Sequence, residues 1–226
     1  MYKRQLSLFG DTKQQMNSHG SNIKDIAEGL DSKQMSLDYN YRLPKAIAKV
    51  AQQIIGGGVD LMSNNQKDGG NSDYPNYPKP IITQYANPEK ELEGILTRIQ
   101  MEDLDDVAIL VPSDKEVMMV NDYLANHGIK TQVMYRTGNT VPFRTVNTLD
   151  FSNNDLPCIL TYYAAKGSEF DNVFVPFANT SNDCSRNSFY VACTRSSRSL
   201  YISYSGTKTK YLSDVNSDFI TELKAA

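Results

Sequence analysis

The sequence has no long apolar run, few cysteines and no marked excess of either charge. No stretch approaches the roughly 20 apolar residues of a membrane helix, and residues 1–10 hold too short an apolar run for a secretory signal. The cysteines, Cys158, Cys184 and Cys193, lack the spacing of a metal site, and only 2 histidines accompany them. We therefore expect a reduced, cytoplasmic protein with neither a metal site nor a membrane span.

The formal net charge of −3 does not decide what the protein binds. It excludes a strongly basic, histone-like binder but is compatible with a local basic groove for nucleic acid. A hydrophobic content of 40% and a charged content of 22% are ordinary for a globular protein. The 226 residues suffice for one large or two small domains.

Strand and helix patterns alternate along the chain, without an internal repeat. The predicted helices are 44–55, 88–101, 114–127, a segment ending near Arg195, and 211–223. The predicted strands are 5–9, 107–111, 131–135, 158–162, 172–175 and 199–204. This alternation is typical of a parallel α/β sheet flanked by helices. The segment 56–80, rich in Asn, Gly, Asp and Pro, is predicted as a polar loop.

The segment 187–196 places an arginine at the end of a short apolar helix. Phe189, Tyr190 and Cys193 share one face, and Arg195 emerges where the run turns polar. A guanidinium held by a packed helix can stabilise charge that develops on a transferred phosphoryl group. The alternative is a core helix whose C-terminal arginine complements the helix dipole.

Three further segments follow strands or precede a helix. Gln14 lies in a polar turn after the first strand, where its amide can reach a phosphate or a water; a plain β–α turn is the alternative. Tyr41 and Arg42 precede the 44–55 helix. Tyr41 can stack on a base and Arg42 can pair with a phosphate. The alternative is that Tyr41 belongs to the core and Arg42 is solvated. In 161–171, Ala-Ala and Lys-Gly permit close backbone approach, and Glu169 can accept from a ribose hydroxyl; a tight surface loop is the alternative.

In order along the chain, these segments resemble a known family. They read GDTKQ (10–14), LDYNYR (37–42), VAILVPSDKE (107–116), TYYAAKGSEFDNVFVP (161–176) and FYVACTR (189–195). They are similar to motifs III, IV, IVa, V and VI of the UvrD/Rep-like superfamily 1 DNA helicases, and the resemblance covers about residues 5–205. It implies two RecA-like domains that bind ATP and Mg²⁺ in the cleft between them. Closure of this cleft moves single-stranded DNA.

The resemblance assigns the nucleotide contacts. Gln14 matches the glutamine that senses the γ-phosphate and the attacking water, Arg42 the arginine at the γ-phosphate, and Arg195 the arginine finger. Nucleotide binding is assigned to Tyr41 at the adenine, Gly167 beside the phosphates and Glu169 at the ribose. We expect Tyr41, Arg42, Glu169 and Arg195 to converge at the carboxyl ends of the strands, where α/β folds bind ligands.

On the DNA side the resemblance assigns Thr161, Tyr163, His19 and Ser113, with departures from the family pattern. Tyr163 stands where the family usually has histidine, and His19 lies near the position of a base-stacking aromatic residue. Asp114 stands near an asparagine that contacts DNA, where an acid would repel phosphate.

The sequence has no Gly-x-x-x-x-Gly-Lys-Ser/Thr phosphate loop and no acidic pair after a strand upstream of Gly10. We therefore expect the C-terminal part of an ATP-dependent DNA helicase, inactive alone, whose Mg²⁺ ligands lie in an N-terminal RecA-like domain. Residues 1–36 would end the first RecA-like domain, and 37–226 would form the second without a large 2B insertion. The alternative is a degenerate, non-catalytic remnant that binds DNA or a protein. An unrelated nucleotide-binding enzyme would need a phosphate loop.

Overall fold

The computed structural model describes residues 23–30, 43–56, 77–138, 144–180 and 184–225. The helices are α1 (Ile23–Gly29), α2 (Lys45–Ile55), α3 (Pro88–Met101), α4 (Asp114–Asn126), α5 (Arg186–Cys193) and α6 (Lys210–Ser213). The strands are β1 (Ile81–Tyr85), β2 (Val107–Val111), β3 (Gln132–Thr137), β4 (Arg144–Asn147), β5 (Cys158–Thr161), β6 (Phe170–Val175), β7 (Ser196–Ser205) and β8 (Thr221–Lys224). None of the helices in these ranges has the length and apolar character that a membrane span requires.

Within these ranges the strands form one 8-stranded sheet in the order β4-β3-β5-β2-β6-β7-β1-β8. Every neighbouring pair is parallel except β3 with β4, which is antiparallel at one edge. The predicted α/β class with a mostly parallel sheet and flanking helices is confirmed. The antiparallel edge strand β4 was not predicted from the sequence.

Helices cover both faces of the sheet, and β2 lies between the two layers. All five residues of β2 are buried. Because successive side chains of a strand alternate between faces, Ala108 and Leu110 pack in one core with α2 and α5. Val107, Ile109 and Val111 pack in the other core with α3 and α4. A continuous apolar run such as VAILV is what burial on both faces requires.

Helices α3, α4 and α5 begin at polar side-chain caps. The Asn87 side chain accepts from the Lys90 N–H at 2.9 Å, with Pro88 as the first residue of α3. Ser113 caps α4 by accepting from the Lys115 N–H at 3.3 Å. Ser185 caps α5 by accepting from the Ser188 N–H at 3.1 Å. The predicted helices 44–55, 88–101 and 114–127 are confirmed to within a residue at each end.

The predicted helix over 211–223 is wrong. This segment holds the last residues of the short helix α6, a single 3₁₀ turn at Ser217–Phe219, and the edge strand β8. Strand β8 pairs in parallel with β1, and the Thr221 N–H donates to the Pro80 carbonyl at 2.9 Å. The hydrogen bonds that make β8 a strand therefore come from β1, which lies more than 130 positions upstream. Strand β1 was not predicted from the sequence.

Candidate functional site

The predicted nucleotide contacts Glu169 and Arg195 lie together at one edge of the sheet. Glu169 directly precedes β6 and Arg195 directly precedes β7. Phe170 and Ser196, the first residues of these strands, pair in register. The Phe170 N–H donates to the Arg195 carbonyl oxygen at 3.0 Å. Of the four residues predicted to converge, Glu169 and Arg195 therefore lie at the same edge, and Tyr41 and Arg42 lie outside the described residues.

The predicted edge, however, is wrong, because both residues lie at the amino ends of the parallel strands. The connection 162–169 carries the chain from the carboxyl end of β5 back to the amino end of β6. Likewise α5 returns the chain to the amino end of β7. The carboxyl-end rule applies to loops that follow a strand directly. Glu169 and Arg195 instead end the return connections, so they lie at the opposite edge.

The sequence predicted that the guanidinium of Arg195 emerges from the helix end. In the structure it is enclosed. Arg195 is 1% exposed. Its Nε donates to the Val191 carbonyl at 3.0 Å and its Nη1 to the Ser168 carbonyl at 3.3 Å. Its Nη2 donates to Thr194 Oγ1 at 3.2 Å. The arginine therefore ties the last turn of α5 to the 162–169 connection, and it would have to exchange these acceptors to reach a phosphate.

Gly167 and Glu169 lie on the accessible side of this connection. Gly167 has φ +91°, a conformation that glycine adopts without the steric penalty of a Cβ. No heavy atom in the described part of the chain lies within 4 Å of where a Cβ would be, so the backbone is open to a ligand. Glu169 is exposed. Both positions fit a nucleotide, since a carboxylate can accept from ribose hydroxyls and a bare backbone can approach phosphates.

A β-bulge beside Arg195 is a feature of this edge that the sequence reasoning missed. The register between β6 and β7 shifts between Phe170 and Asn172. The Ser197 hydroxyl donates to Asp171 Oδ1 at 2.5 Å, and Ser196 Oγ donates to the Ser199 carbonyl at 2.8 Å. Bulges re-aim side chains and are common near functional sites. The exposed Arg198 lies within this bulge.

A second unforeseen group at the amino edge is Asp106, which precedes β2. Its Oδ2 accepts from the Asp171 N–H at 2.8 Å, and its backbone has φ +44°. Burial raises the pKa of the Asp106 carboxyl, and this effect is larger than the opposing effect of that hydrogen bond. No sequence signal marked Asp106. Despite these acids, the described ranges contain no cluster of three or more His, Cys, Asp or Glu side chains that could hold a metal ion.

The predicted DNA contacts that the structure describes lie at the opposite, carboxyl edge. Thr161 ends β5 in register with Val111 of β2, and Ser113 follows that strand by two residues. Tyr163 is 59% exposed. Thr161 Oγ1 accepts from the Ala164 N–H at 3.1 Å, which fixes the turn that presents Tyr163. The Ser113 hydroxyl is already occupied by its cap on Lys115 and by a contact with the Glu116 carboxylate.

Asp114, whose charge was expected to repel DNA, is paired with Arg136. Its Oδ1 accepts from the Arg136 N–H at 3.1 Å, and its Oδ2 lies 3.5 Å from Arg136 Nε. The pair is partly exposed, so its contribution to stability is small. It nevertheless places a positive charge beside the negative one at this edge.

The thiols of Cys158 and Cys193 are not activated as nucleophiles. All three cysteines are free thiols. Burial raises the pKa of Cys158 to about 11, and it raises the pKa of Cys193 beyond the usual range of a thiol. Because only the thiolate is reactive, these two side chains act as small apolar core residues at neutral pH.

Four predicted site residues, Gln14, His19, Tyr41 and Arg42, lie outside the described residues. The predicted strand 5–9 and the segment 57–76 of the predicted polar loop lie outside them as well.

Residues 157–203 match the family model of the UvrD-like helicase C-terminal domain. This segment of the chain is therefore similar to the C-terminal domain of UvrD-like helicases. The matched segment runs from the start of β5 into β7, and it contains Thr161, Tyr163, Gly167, Glu169 and Arg195. The resemblance to this family read from the motifs is thereby confirmed.

A solved structure has a fold similar to that of this chain. The chain is similar, with a TM-score of 0.59 and 21% identity, to the C-terminal domain of a possible DNA helicase from Lactobacillus plantarum WCFS1, over 81% of this chain and 98% of that one. The arterivirus nonstructural protein 10 helicase with DNA matches with a TM-score of 0.45 and 9% identity, over 64% of this chain and 35% of that one. Truncated PRRSV nsp10 matches with a TM-score of 0.40 and 10% identity, over 65% of this chain and 46% of that one. No curated protein matches the sequence.

Proposed function

We propose that this chain provides the second RecA-like motor domain of an ATP-dependent 3′–5′ DNA helicase or translocase, formed by residues 37–226. The observation that carries the proposal is the placement of two groups of side chains at opposite ends of one parallel sheet. Gly167, Glu169 and Arg195 lie at the amino edge, whereas Thr161 and Tyr163 lie at the carboxyl edge. The connection 162–169 joins the two edges, and through it a displacement at one end would reach the other.

At the amino edge, the chain's own residues would bind and orient a nucleotide. Glu169 would accept hydrogen bonds from the ribose, and the backbone at Gly167 would lie beside the phosphates. ATP supplies the transferable phosphoryl group, and Arg195 would donate to its oxygens as an arginine finger. The proposed nucleotide contacts also include Tyr41 at the adenine and Arg42 and Gln14 at the γ-phosphate. Arg195 reaches this role only by exchanging its contacts with Val191 and Ser168.

At the carboxyl edge, Tyr163 would stack on a base of single-stranded DNA, because an exposed aromatic ring can take any base against its face. Thr161 and Ser113 would contact the backbone of the strand, together with His19. The pairing of Asp114 with Arg136 removes the repulsion that an isolated carboxylate would exert on phosphates.

The proposed partner inside the motor is an N-terminal RecA-like domain that holds a phosphate loop and the Mg²⁺ ligands. Residues 1–36 would belong to that first domain. The sequence of 226 residues contains no phosphate loop, so the nucleotide would be shared between the two domains. The proposed compartment is the cytoplasm, where buried free thiols such as Cys158 stay reduced.

One observation favours a second candidate, a non-catalytic remnant that binds DNA or a protein. Arg195 is 1% exposed and donates from each guanidinium nitrogen to an acceptor of its own chain. An arginine held in this way can serve the fold alone, as a link between α5 and the 162–169 connection. Both candidates share the DNA edge and differ in whether Arg195 acts on a phosphate.

The test is a comparison of ATP hydrolysis by two proteins. The 226-residue chain alone should show no ATPase activity with or without single-stranded DNA, because its sequence lacks the phosphate loop. A longer protein that also carries a first RecA-like domain with a phosphate loop should hydrolyse ATP, and single-stranded DNA should stimulate it. Stimulated hydrolysis by the 226-residue chain that survives Arg195→Ala would contradict the proposal. A longer protein that binds DNA without any turnover would favour the remnant.

A further inference from the structure

Two cations share one tyrosine ring at the carboxyl edge of the sheet. Arg186 Cζ lies 5.3 Å and Lys210 Nζ lies 5.5 Å from the centroid of the Tyr211 ring. Both cationic residues are exposed. The ring itself is fixed, since the Tyr211 hydroxyl donates to the Cys184 carbonyl at 2.9 Å and the ring packs 6.0 Å from that of Phe189. The two positive groups are therefore held near each other by contact with one rigid side chain.

This pair has no acidic partner within the described ranges. The ion pairs found there link other side chains, and none includes Arg186 or Lys210. Asp214 lies one helical turn after Lys210 but forms no ion pair with it in this part of the chain. Arg186 Nη1 donates to the Ile54 carbonyl at 2.9 Å, a neutral acceptor at the end of α2. Among the described residues these two like charges have no counter-charge and repel each other, so an anion that contacts both is favoured.

The pair lies on the same edge as the proposed DNA contacts. Because α5 ends at the amino edge, its first residue, Arg186, lies at the carboxyl edge, and Lys210 follows the carboxyl end of β7. Ring contacts of 6.4 Å from Tyr162 to Phe189 and 6.0 Å from Phe189 to Tyr211 connect the two places. Tyr162 directly precedes the exposed Tyr163 in the sequence. A chain of three aromatic rings therefore links the two cations to the residue next to Tyr163, the side chain proposed to stack on a base.

We propose that Arg186 and Lys210 bind phosphates of single-stranded DNA and extend the proposed track from Tyr163 toward the end of β7. This inference rests on the proposed function and adds a second group of contacts to its DNA edge. Arg186 and Lys210 bind the backbone and carry no sequence preference, as phosphate contacts do in general. Tyr211 is a positioning residue, because its hydroxyl donates to the Cys184 carbonyl and its ring packs near that of Phe189.

The test measures binding of a fluorescent oligothymidylate by the 226-residue chain over a series of salt concentrations. Lys210→Gln should weaken binding about fivefold at 0.1 M salt and reduce the slope of log K against log salt by about 0.7, the value for one phosphate contact on a single strand. Arg186→Gln should have a similar effect. Lys130→Gln is the matched control, since Lys130 is exposed, makes the same charge change and precedes β3 at the amino edge.

Lys210→Gln is the decisive variant because Lys210 caps no helix, whereas Arg186 also holds the end of α2. If Lys210→Gln binds with unchanged affinity and slope while Tyr163→Ala binds more weakly, the extension is wrong and the proposed DNA edge stands. If the unmodified chain does not bind the oligothymidylate, the extension and the proposed DNA edge are both wrong. If Lys130→Gln weakens binding as much as Lys210→Gln, the effect is one of net charge and the extension is also wrong.

Discussion

At the scale of single residues, Arg195 is the proposed arginine finger and also a fully enclosed guanidinium. Its burial costs desolvation energy that the acceptors at Val191, Ser168 and Thr194 offset. To act on a phosphoryl group, the guanidinium would first have to exchange these acceptors, and only then could it stabilise developing charge without further reorganisation. The same hydrogen bonds also stabilise the end of α5, so the two roles must be separated by kinetics and stability together.

We expect Arg195→Ala to reduce kcat for ATP hydrolysis about 10³-fold or more in a protein that also carries the first RecA-like domain. The effect on ATP affinity should be smaller, because the charge that the arginine meets develops mainly in the transition state. Arg195→Lys should not restore kcat, since an ammonium lacks the planar fork that spans two oxygens. Steady-state kinetics would give both parameters.

Arg198→Ala is the matched control, because Arg198 is an exposed arginine three positions away at the same edge. It should leave kcat within about threefold of the unmodified protein, a change under about 1 kcal/mol. Circular dichroism and DNA binding would separate chemistry from unfolding, since loss of a finger leaves both intact. If Arg195→Ala kept kcat within that same range, the finger assignment would be wrong.

Glu91 predicts a pH dependence of stability. This carboxyl is 0% exposed, and Oε2 accepts from the Phe177 N–H at 2.9 Å and from Ser203 Oγ at 2.8 Å. Burial raises its pKa, outweighing those hydrogen bonds. The folded state therefore binds the proton more tightly than the unfolded state does, so the free energy of unfolding falls as pH rises from the ordinary glutamate pKa to the raised one. Glu91→Gln should remove this fall in the free energy of unfolding, measured by urea denaturation at several pH values. If both proteins showed the same pH dependence, the role of Glu91 would be contradicted.

At the scale of elements, the contact between α3 and β1 depends on a glycine. A Cβ at Gly94 would overlap the Tyr85 hydroxyl and ring. Gly94→Ala gains about 1 kcal/mol of helix propensity, but overpacking of this kind costs about 1–3 kcal/mol. We expect net destabilisation by about 1 kcal/mol, measured by urea denaturation.

The same contact can be tested by a double mutant. Tyr85→Leu combined with Gly94→Ala should restore the gain in helix propensity, because the phenol that meets the new methyl group is gone. Gly29→Ala is a suitable control, since no described heavy atom lies within 4 Å of a Cβ there. If Gly94→Ala were as harmless as Gly29→Ala, the packing of Tyr85 against α3 would be looser than these contacts indicate.

At the scale of the whole molecule, the separation of the two edges predicts that nucleotide and DNA binding can be weakened independently. Glu169→Ala should weaken nucleotide binding about three- to tenfold, as expected for a partly solvated hydrogen bond, and leave single-stranded DNA binding unchanged. Tyr163→Ala should weaken DNA binding by about 1–3 kcal/mol, the range for loss of one base stack, and leave nucleotide affinity unchanged. Titrations of the two-domain protein with each ligand would measure both; if each variant weakened both ligands equally, the assignment of separate edges would fail.

Local sequence determined the long helices, the buried strand β2 and the order of the motifs. The apolar run 107–111 specifies a strand buried on both faces, and Ser113 and Asn87 specify where helices begin. These signals are local, since a cap or a run of apolar side chains acts within one turn or one strand. The helicase motifs are also runs of neighbouring residues, so the family could be recognised without a fold.

Only the tertiary structure decided which edge each site residue occupies and how Arg195 is held. The edge depends on whether a connection has returned across the sheet, and the 162–169 segment returns within a few residues. The burial of Arg195, the link from Asp106 to Asp171 and the pairing of β8 with β1 all join distant parts of the sequence. Such contacts arise from how strands are ordered in the sheet, which neighbouring residues along the chain do not encode.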